Sequence, residues 1–590
     1  MASSIEFWNR LRQAVDSEIH SSEYNLRALK SRRNGLASIS RLPPETLATI
    51  FTFLSSSALN EPYHFKWIRV AHVCHQWRQI ALSYPRFWSN INVTRMSPAF
   101  MAEILARSKM APLNLVAVTT NWNSKRSGAL WSQLRPHISH TRYLEVHGHL
   151  EAARERLLTS APILRSLALS HSKTLSPEVD IPTALFSRTT PRLIHLKLRN
   201  CNISWKSPLF KGLQTLEIYR SSREGRPELK DWLNALNEMS QLKTLRLHHA
   251  TPIASSDTLF TSAPQRTVTL PFLIKFSIVA RARDCALALA HLVLPTLTHL
   301  RVSAESYEWE GDDVRLLIPY VAQNASGPQD TEPLRSVLIS GEEAYAEMVA
   351  WATPNADSHV WDPITMLSAA DSARVVFLAN IKDLMWRVGA DSLIFDDLLT
   401  QLPLASISDL TAHNNTRLDT EVWLKHAPSW PLLERVRLVP TALRSFRKML
   451  AEAPPPNGPL LPSLTKLNLV DVSLTVQRTY HLRDMLIERV GQGVPLEALD
   501  LSTCFVADRA IQLLEEVVVN VRRPLATMEV GTSNWEEETR VNSFDDEEGL
   551  TEDDDYANDS GPWYEDWDEE EDEIDDDDDY DESYLDPDIF

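Results

Sequence analysis

The sequence predicts an α/β solenoid behind a small helical unit, so that the chain as a whole reads α+β, and it ends in a disordered acidic segment. Three observations carry this. The spacing L-x-x-L-x-L recurs nine times from "APILRSLALS" at 161 to "VPLEALDLSTC" at 494. Residues 41–88 pair two adjacent prolines with apolar side chains at helical spacing. Residues 536–590 hold 29 Asp and Glu against one base, Arg540, and so carry a net charge of −28.

The first segment, 1–37, places Ile5, Trp8, Val15, Ile19, Leu26 and Leu29 in a heptad-like series broken at Arg12 and Ser22. An amphipathic helix follows, with a coiled coil as the open alternative, and "KSRRN" at 30–34 reads as its solvated end.

In the second segment, 38–95, Pro43 and Pro44 suit a helix start and Glu45 suits the first turn, where the macrodipole favours an acid. Leu47, Ile50, Phe51 and Leu54 then form one apolar stripe that must pack on something. Trp67, Val70, Cys74, Trp77 and Ala81 continue at helical spacing until Pro85, which predicts a second helix. So small a unit buries too little surface to stand alone, and a docked domain or partner is implied.

Residues 96–139 read as a connecting segment, and 140–535 as an irregular, curved leucine-rich array. Each L-x-L core is a short strand with two inward side chains, anchored by the preceding leucine. The 191 copy fits the leucine-rich template most fully, through Leu193, Leu196, Leu198, Cys201 and Ile203. Helical patterns at 228, 478 and 508 fall between strands, and the array is weakest over 340–425. Residues 536–590 repel themselves and lack the aliphatic content that ordering requires.

With the acidic end set aside, the first 535 residues hold 58 bases against 50 acids, a mildly basic body. Cys74, Cys201, Cys285 and Cys504 form no close pair, which predicts neither a disulfide framework nor zinc and suits a reducing compartment. No signal-peptide run or membrane span is legible, so the expected localisation is cytoplasmic, nuclear or both.

Neither a phosphate-cradling glycine loop nor a nucleophile elbow nor H-E-x-x-H occurs, so the sequence predicts no catalytic residues, no cofactor and no enzyme. His72, Cys74 and His75 lack a second ligand pair, and the expected reading is a buried Cys74 between surface histidines. His248 and His249 read as a surface pair. The body lacks basic runs and the acidic end repels phosphate, so no nucleic-acid partner is expected.

Leu42-Pro43-Pro44-Glu45, then Leu47, Ile50, Phe51 and Leu54, then Val70, Val73, Cys74, Trp77 and Arg78, resemble the F-box pattern L-P-x-E … I … L … V-C-x-x-W. The context resembles the F-box proteins abundant in mushroom-forming fungi, in which a helix precedes the F-box and a leucine-rich region follows. Leu42 and Trp77 lie 35 residues apart, longer than the compact pattern, so "SSSALNEPYHFK" reads as a loop insertion. The resemblance implies a docking module: a Skp-type adaptor held by Leu42, Pro43, Glu45, Ile50, Leu54, Val73, Cys74 and Trp77, a cullin reached through it, and a protein substrate captured by the C-terminal region. Two functions follow. One is the substrate-receptor subunit of an SCF-type ubiquitin ligase. The other is a leucine-rich scaffold with a vestigial F-box, whose acidic tail engages basic proteins such as histones.

Overall fold

The computed structural model describes residues 2–524 with interruptions, the longest at 120–130, 354–372 and 381–389. The acidic segment 536–590, expected to be disordered, lies outside the described residues. The chain is mixed α/β and divides into two units, Met1–Thr331 with Leu367–Leu384, and Glu332–Met366 with Met385–Phe590.

The first unit begins with a long helix, α1 (Ala2–Gly35). Its apolar side chains Trp8, Leu11, Val15, Ile19, Leu26 and Leu29 are all exposed. A 3-10 turn leads into α2 (Pro44–Ser57), and a 3-10 stretch at Lys66–His72 into α3 (His75–Ser83). The second helix expected from Trp67 onward is therefore split. Cys74 is extended, with φ −159° and ψ 166°, and caps α3 instead of lying within a helix. Three-residue and four-residue spacings fit a 3-10 stretch followed by a helix as well as one continuous helix.

Strand β1 (Asn90–Asn92), α4 (Pro98–Ser108) and β2 (Leu113–Thr119) come next. Residues 96–139, read as a connection, thus supply a strand that pairs in parallel with β1 and with β3 (Thr141–Gly148). From there the leucine pattern becomes a ladder. Leu115, Leu144, Leu167, Leu196, Leu216, Leu245, Phe276, Leu300 and Val375 form one register row across consecutive parallel strands. All of them are buried. Because side chains alternate at period two, the residues between these leucines emerge on the opposite face.

The second unit repeats the device. Val337, Leu410, Val436, Leu467, Leu499 and Val521 share a row of parallel strands. One departure lies where the leucine pattern is weakest: Ser336–Glu342 pairs antiparallel with Tyr345–Trp351. The three helical patterns between strands appear as Leu229–Asn237, Val476–Gly491 and Asp508–Glu515.

The template cysteine is buried in both units and turns its thiol to backbone carbonyls. Cys201 Sγ donates to Arg199 O at 3.2 Å with Leu169 O on the preceding strand at 3.7 Å, and Cys504 Sγ donates to Leu469 O, likewise on the preceding strand, at 3.1 Å. Burial pushes the thiols up to about 12 and about 11, which keeps the donor proton in place. Residues 496–506 therefore carry the full template, as 193–203 do.

Candidate adaptor-docking surface

The short helical unit is built on aromatic rings. Phe51 of α2 lies 5.1 Å from Trp77 and 6.0 Å from Phe87, centroid to centroid. Trp67 meets Phe87 edge-on at 4.6 Å and Trp88 at 5.4 Å. Trp88 Nε1 donates to Ala81 O at 2.7 Å, which satisfies the one polar atom of a buried indole, and Arg107 covers its ring at 4.7 Å. These contacts close a core around Leu47, Ala48, Phe51, Ile68, Ile80 and Ala81, all buried.

Asparagines fasten this core to the sheet. Asn90 Nδ2 donates to Ser55 Oγ at 2.8 Å and to Ser56 Oγ at 3.1 Å. Asn114 Nδ2 donates in turn to Asn90 Oδ1 at 2.7 Å, and Asn92 Nδ2 reaches Leu59 O at 2.9 Å. Asn90 is buried, so breaking this chain strands polar groups out of water. The C-terminal end of α2 is thereby held against β1.

The expected stripe of α2 divides. Leu47 and Phe51 are buried, whereas Ile50 is 38% exposed, Leu54 44% and, between them, Phe53 72%. Ile50, Phe53 and Leu54 stand at i, i+3 and i+4, one face of the helix. Phe53 lies outside the stripe Leu47–Ile50–Phe51–Leu54, and its i+3 spacing from Ile50 is the signal that joins it to this face. Ahead of α2, Leu42 is half-buried and Pro43 is exposed, as is Glu45 in its first turn. Pro43 O accepts from the amides of Thr46 and Leu47, at 3.0 and 3.2 Å.

On the second segment Val73 is 57% exposed. Cys74 is half-buried, not the buried hydrophobe expected, because it lies at the exposed start of α3. Trp77 is half-buried and packs on Phe51. The structure thus brings Ile50 and Leu54 onto one open face, puts Trp77 beneath the same helix as support, and sets Val73 and Cys74 on the turn before α3. The loop insertion starts later than expected, because Ser55–Ser57 belong to α2; residues 58 and 60–65 lie outside the described residues.

Residues 39–94 match the family model for the F-box-like domain. This stretch is an F-box-like domain. No curated protein matches the chain. Domains of this kind generally bind Skp-type adaptors, and the domain suggests a ubiquitin-ligase adaptor role.

Elsewhere, one group of the described residues has metal-ligating composition: the ligand atoms of His248, His249 and Glu305 lie within 4.8 Å of one another. His249 is not on the surface as expected. It is buried, with φ 51°, and its Nε2 lies 3.1 Å from Glu305 Oε2. Arg281 is the register partner of Glu305, so a cation already flanks the carboxylate.

Proposed function

We propose that this protein is the substrate-receptor subunit of an SCF-type ubiquitin ligase. The F-box-like domain docks a Skp-type adaptor, a cullin is reached through that adaptor, and the leucine-rich region holds the substrate. The observation that carries the reading is the exposed face Ile50–Phe53–Leu54, on a helix whose adjoining face is locked into an aromatic core. A monomer gains nothing from three large apolar side chains in water. A partner's groove gives them a use, and such anchors carry most of an interface's binding energy.

The two parallel ladders are leucine-rich-repeat-like solenoid segments, supported by the row-by-row burial and the shared cysteine contact. The protein acts by binding and not by catalysis, in the cytoplasm, the nucleus or both, and its relatives are the F-box proteins of mushroom-forming fungi. The eight positions from Leu42 to Trp77 divide by role. Pro43, Ile50, Leu54 and Val73 touch the adaptor, and Leu42, Glu45, Cys74 and Trp77 shape the helices that present them.

The test is co-purification of the full chain with a Skp-type adaptor. Ile50→Asp with Leu54→Asp is expected to weaken binding at least about 100-fold, since each central anchor contributes roughly 2 kcal/mol or more. Unchanged binding by a folded variant removes these residues from the interface. If the wild-type chain fails to bind, the function moves to the leucine-rich scaffold whose acidic segment engages basic proteins.

A further inference from the structure

The leucine rows of the first unit have an outer counterpart. Opposite the buried row stands a second register row, Glu145, Ala168, Lys197, Glu217, Arg246, Ser277 and Arg301, one residue from each successive strand. Beside it run His147, Ser170, Arg199, Tyr219 and His248, and on its other side Tyr143, Ser166, His195 and, further along, Lys275. Lys197 and Arg301 lie four strand spacings apart, roughly 19 Å, so the cations form a strip and not a point.

The carboxylates of this face are already engaged. Glu145 accepts from the Tyr143 hydroxyl and lies 2.8 Å from His147 Nε2. Tyr219 donates to Glu217 at 3.2 Å. Tyr219 also sits under two cations, Lys197 at 5.9 Å and Arg199 at 5.8 Å from its ring centroid. His195, Lys197 and Arg199 are exposed.

Next to this strip the molecule has a cleft of about 480 Å³, lined by Arg142 and Arg165 together with Tyr143, Ser166 and His195. Tyr143, Ser166 and His195 belong to the outer rows, so cleft and strip share one surface. Both arginines are exposed. The fixed fork of a guanidinium suits a carboxylate in two-point contact.

We propose that the outer face of this sheet docks an extended acidic peptide segment of a partner protein, its carboxylates along Lys197, Arg199, Arg246 and Arg301 and one of them in the Arg142–Arg165 cleft. Charge complementarity selects the occupant. A nucleic acid fits less well. Its backbone brings a charge at every step and meets Glu145 and Glu217 in the same row as the cations, whereas a peptide can place a neutral or donor side chain there. This deepens the receptor reading by naming the chemistry of the captured segment, and it rests on that reading only for its biological role. Peptide binding is measured without adaptor, so failure of one leaves the other standing.

The experiment is fluorescence anisotropy of a labelled 15-residue peptide alternating Asp-Glu pairs with Gly and Ser, titrated with the full chain at 50 and 300 mM NaCl. Saturable binding is expected, about tenfold weaker at the higher salt. Lys197→Glu with Arg199→Glu is expected to weaken it a further tenfold or so at low salt. Lys30→Glu, on α1, is expected to change it less than about twofold. Circular dichroism of each variant checks folding; Lys197→Gln with Arg199→Gln, which removes charge without reversing it, gives an intermediate loss. Absence of binding at 200 μM chain, equal binding by the charge-reversed chain, or tighter binding of a single-stranded oligonucleotide of the same charge overturns the proposal.

Discussion

On α2 the flank beside Leu47 and Phe51 carries Ile50, Phe53 and Leu54, while on the strand His195–Arg199 the side opposite Leu196 and Leu198 carries His195, Lys197 and Arg199. Both elements bury one row of large apolar side chains in the same unit. Their open faces differ in chemistry, aliphatic and aromatic on the helix, basic on the sheet. The difference assigns two partners: one that offers a groove for apolar anchors, and one that offers charge. It also predicts how each contact responds to solvent, since apolar burial tolerates salt and exposed ion pairs do not.

The largest effect expected from this comparison lies within α2. Phe51→Ala removes a fully buried ring from the aromatic cluster and is expected to cost about 3–5 kcal/mol, read as a lower denaturation midpoint. Phe53→Ala, two residues along and 72% exposed, is expected to leave stability within about 0.5 kcal/mol while weakening the adaptor complex. Equal stability losses at both positions mean that the two faces are not distinct, and the docking assignment fails with them.

A cross-over of variants comes next in size. Ile50→Asp with Leu54→Asp is expected to leave acidic-peptide affinity within about twofold, and Lys197→Glu with Arg199→Glu to leave adaptor affinity within the same margin. Pull-down and anisotropy on the same three preparations, wild type and the two double variants, read both. If either pair disturbs both partners, the faces do not act independently.

How much of this was legible in the sequence follows from the two periodicities. In a strand, inside and outside alternate, so Leu196-x-Leu198 fixed both the buried row and the identity of the outer residues. In a helix, Leu47, Ile50, Phe51 and Leu54 span an arc wide enough for a core on one edge and an interface on the other, and spacing alone cannot divide it. The leucine pattern does not reveal β2, because Pro112-Leu113-Asn114-Leu115 lacks the anchoring leucine three residues ahead. "EPLRSVLIS" reads as one more copy and does pair in parallel with Asp409–Asn414, while its local pattern holds no record of the antiparallel neighbour Tyr345–Trp351. The Asn90–Asn114 link spans 24 residues and the Asn90–Ser55 link 35, and no local motif announces either. The helical domain's attachment to the sheet was therefore invisible, although it determines where the docking face points.

Ionic groups that hold the fold should behave unlike those offered to a partner, and the second unit supplies the contrast. Burial pushes the Asp396 carboxyl up, but hydrogen bonds from Lys425 at 2.8 Å and His426 at 2.7 Å outweigh it and hold it below the usual carboxylate range. A carboxyl depressed in the folded state binds fewer protons than in the unfolded chain. Its stabilisation is therefore present above the ordinary value of 3.8 and is lost as pH falls through and below it. Asp396→Asn is expected to flatten the acid limb of the stability profile between about pH 5 and pH 2, by less than about 1 kcal/mol because the Lys425 partner is half-exposed. Urea melts at stepped pH measure it, and an unchanged acid limb rejects the pairing as a source of stability.

The smallest effect concerns the acidic segment and the basic face. Removing residues 536–590 takes away 29 carboxylates and a single arginine, and leaves a body of net +8. At physiological salt a charge is screened over about 8 Å, so most of those carboxylates contribute little to the potential at Lys197 or Arg246. At 20 mM salt the screening length grows to about 20 Å and the acidic segment competes over a longer range. Deleting it is therefore expected to strengthen acidic-peptide binding by about threefold at 20 mM salt and by less than about 1.5-fold at 150 mM, with adaptor affinity unchanged at both. A gain above tenfold that survives at 150 mM points to direct competition by a tethered segment at high effective concentration, and would make the chain's own acidic run the occupant that a substrate must displace. No gain at either salt leaves the basic face to partners alone.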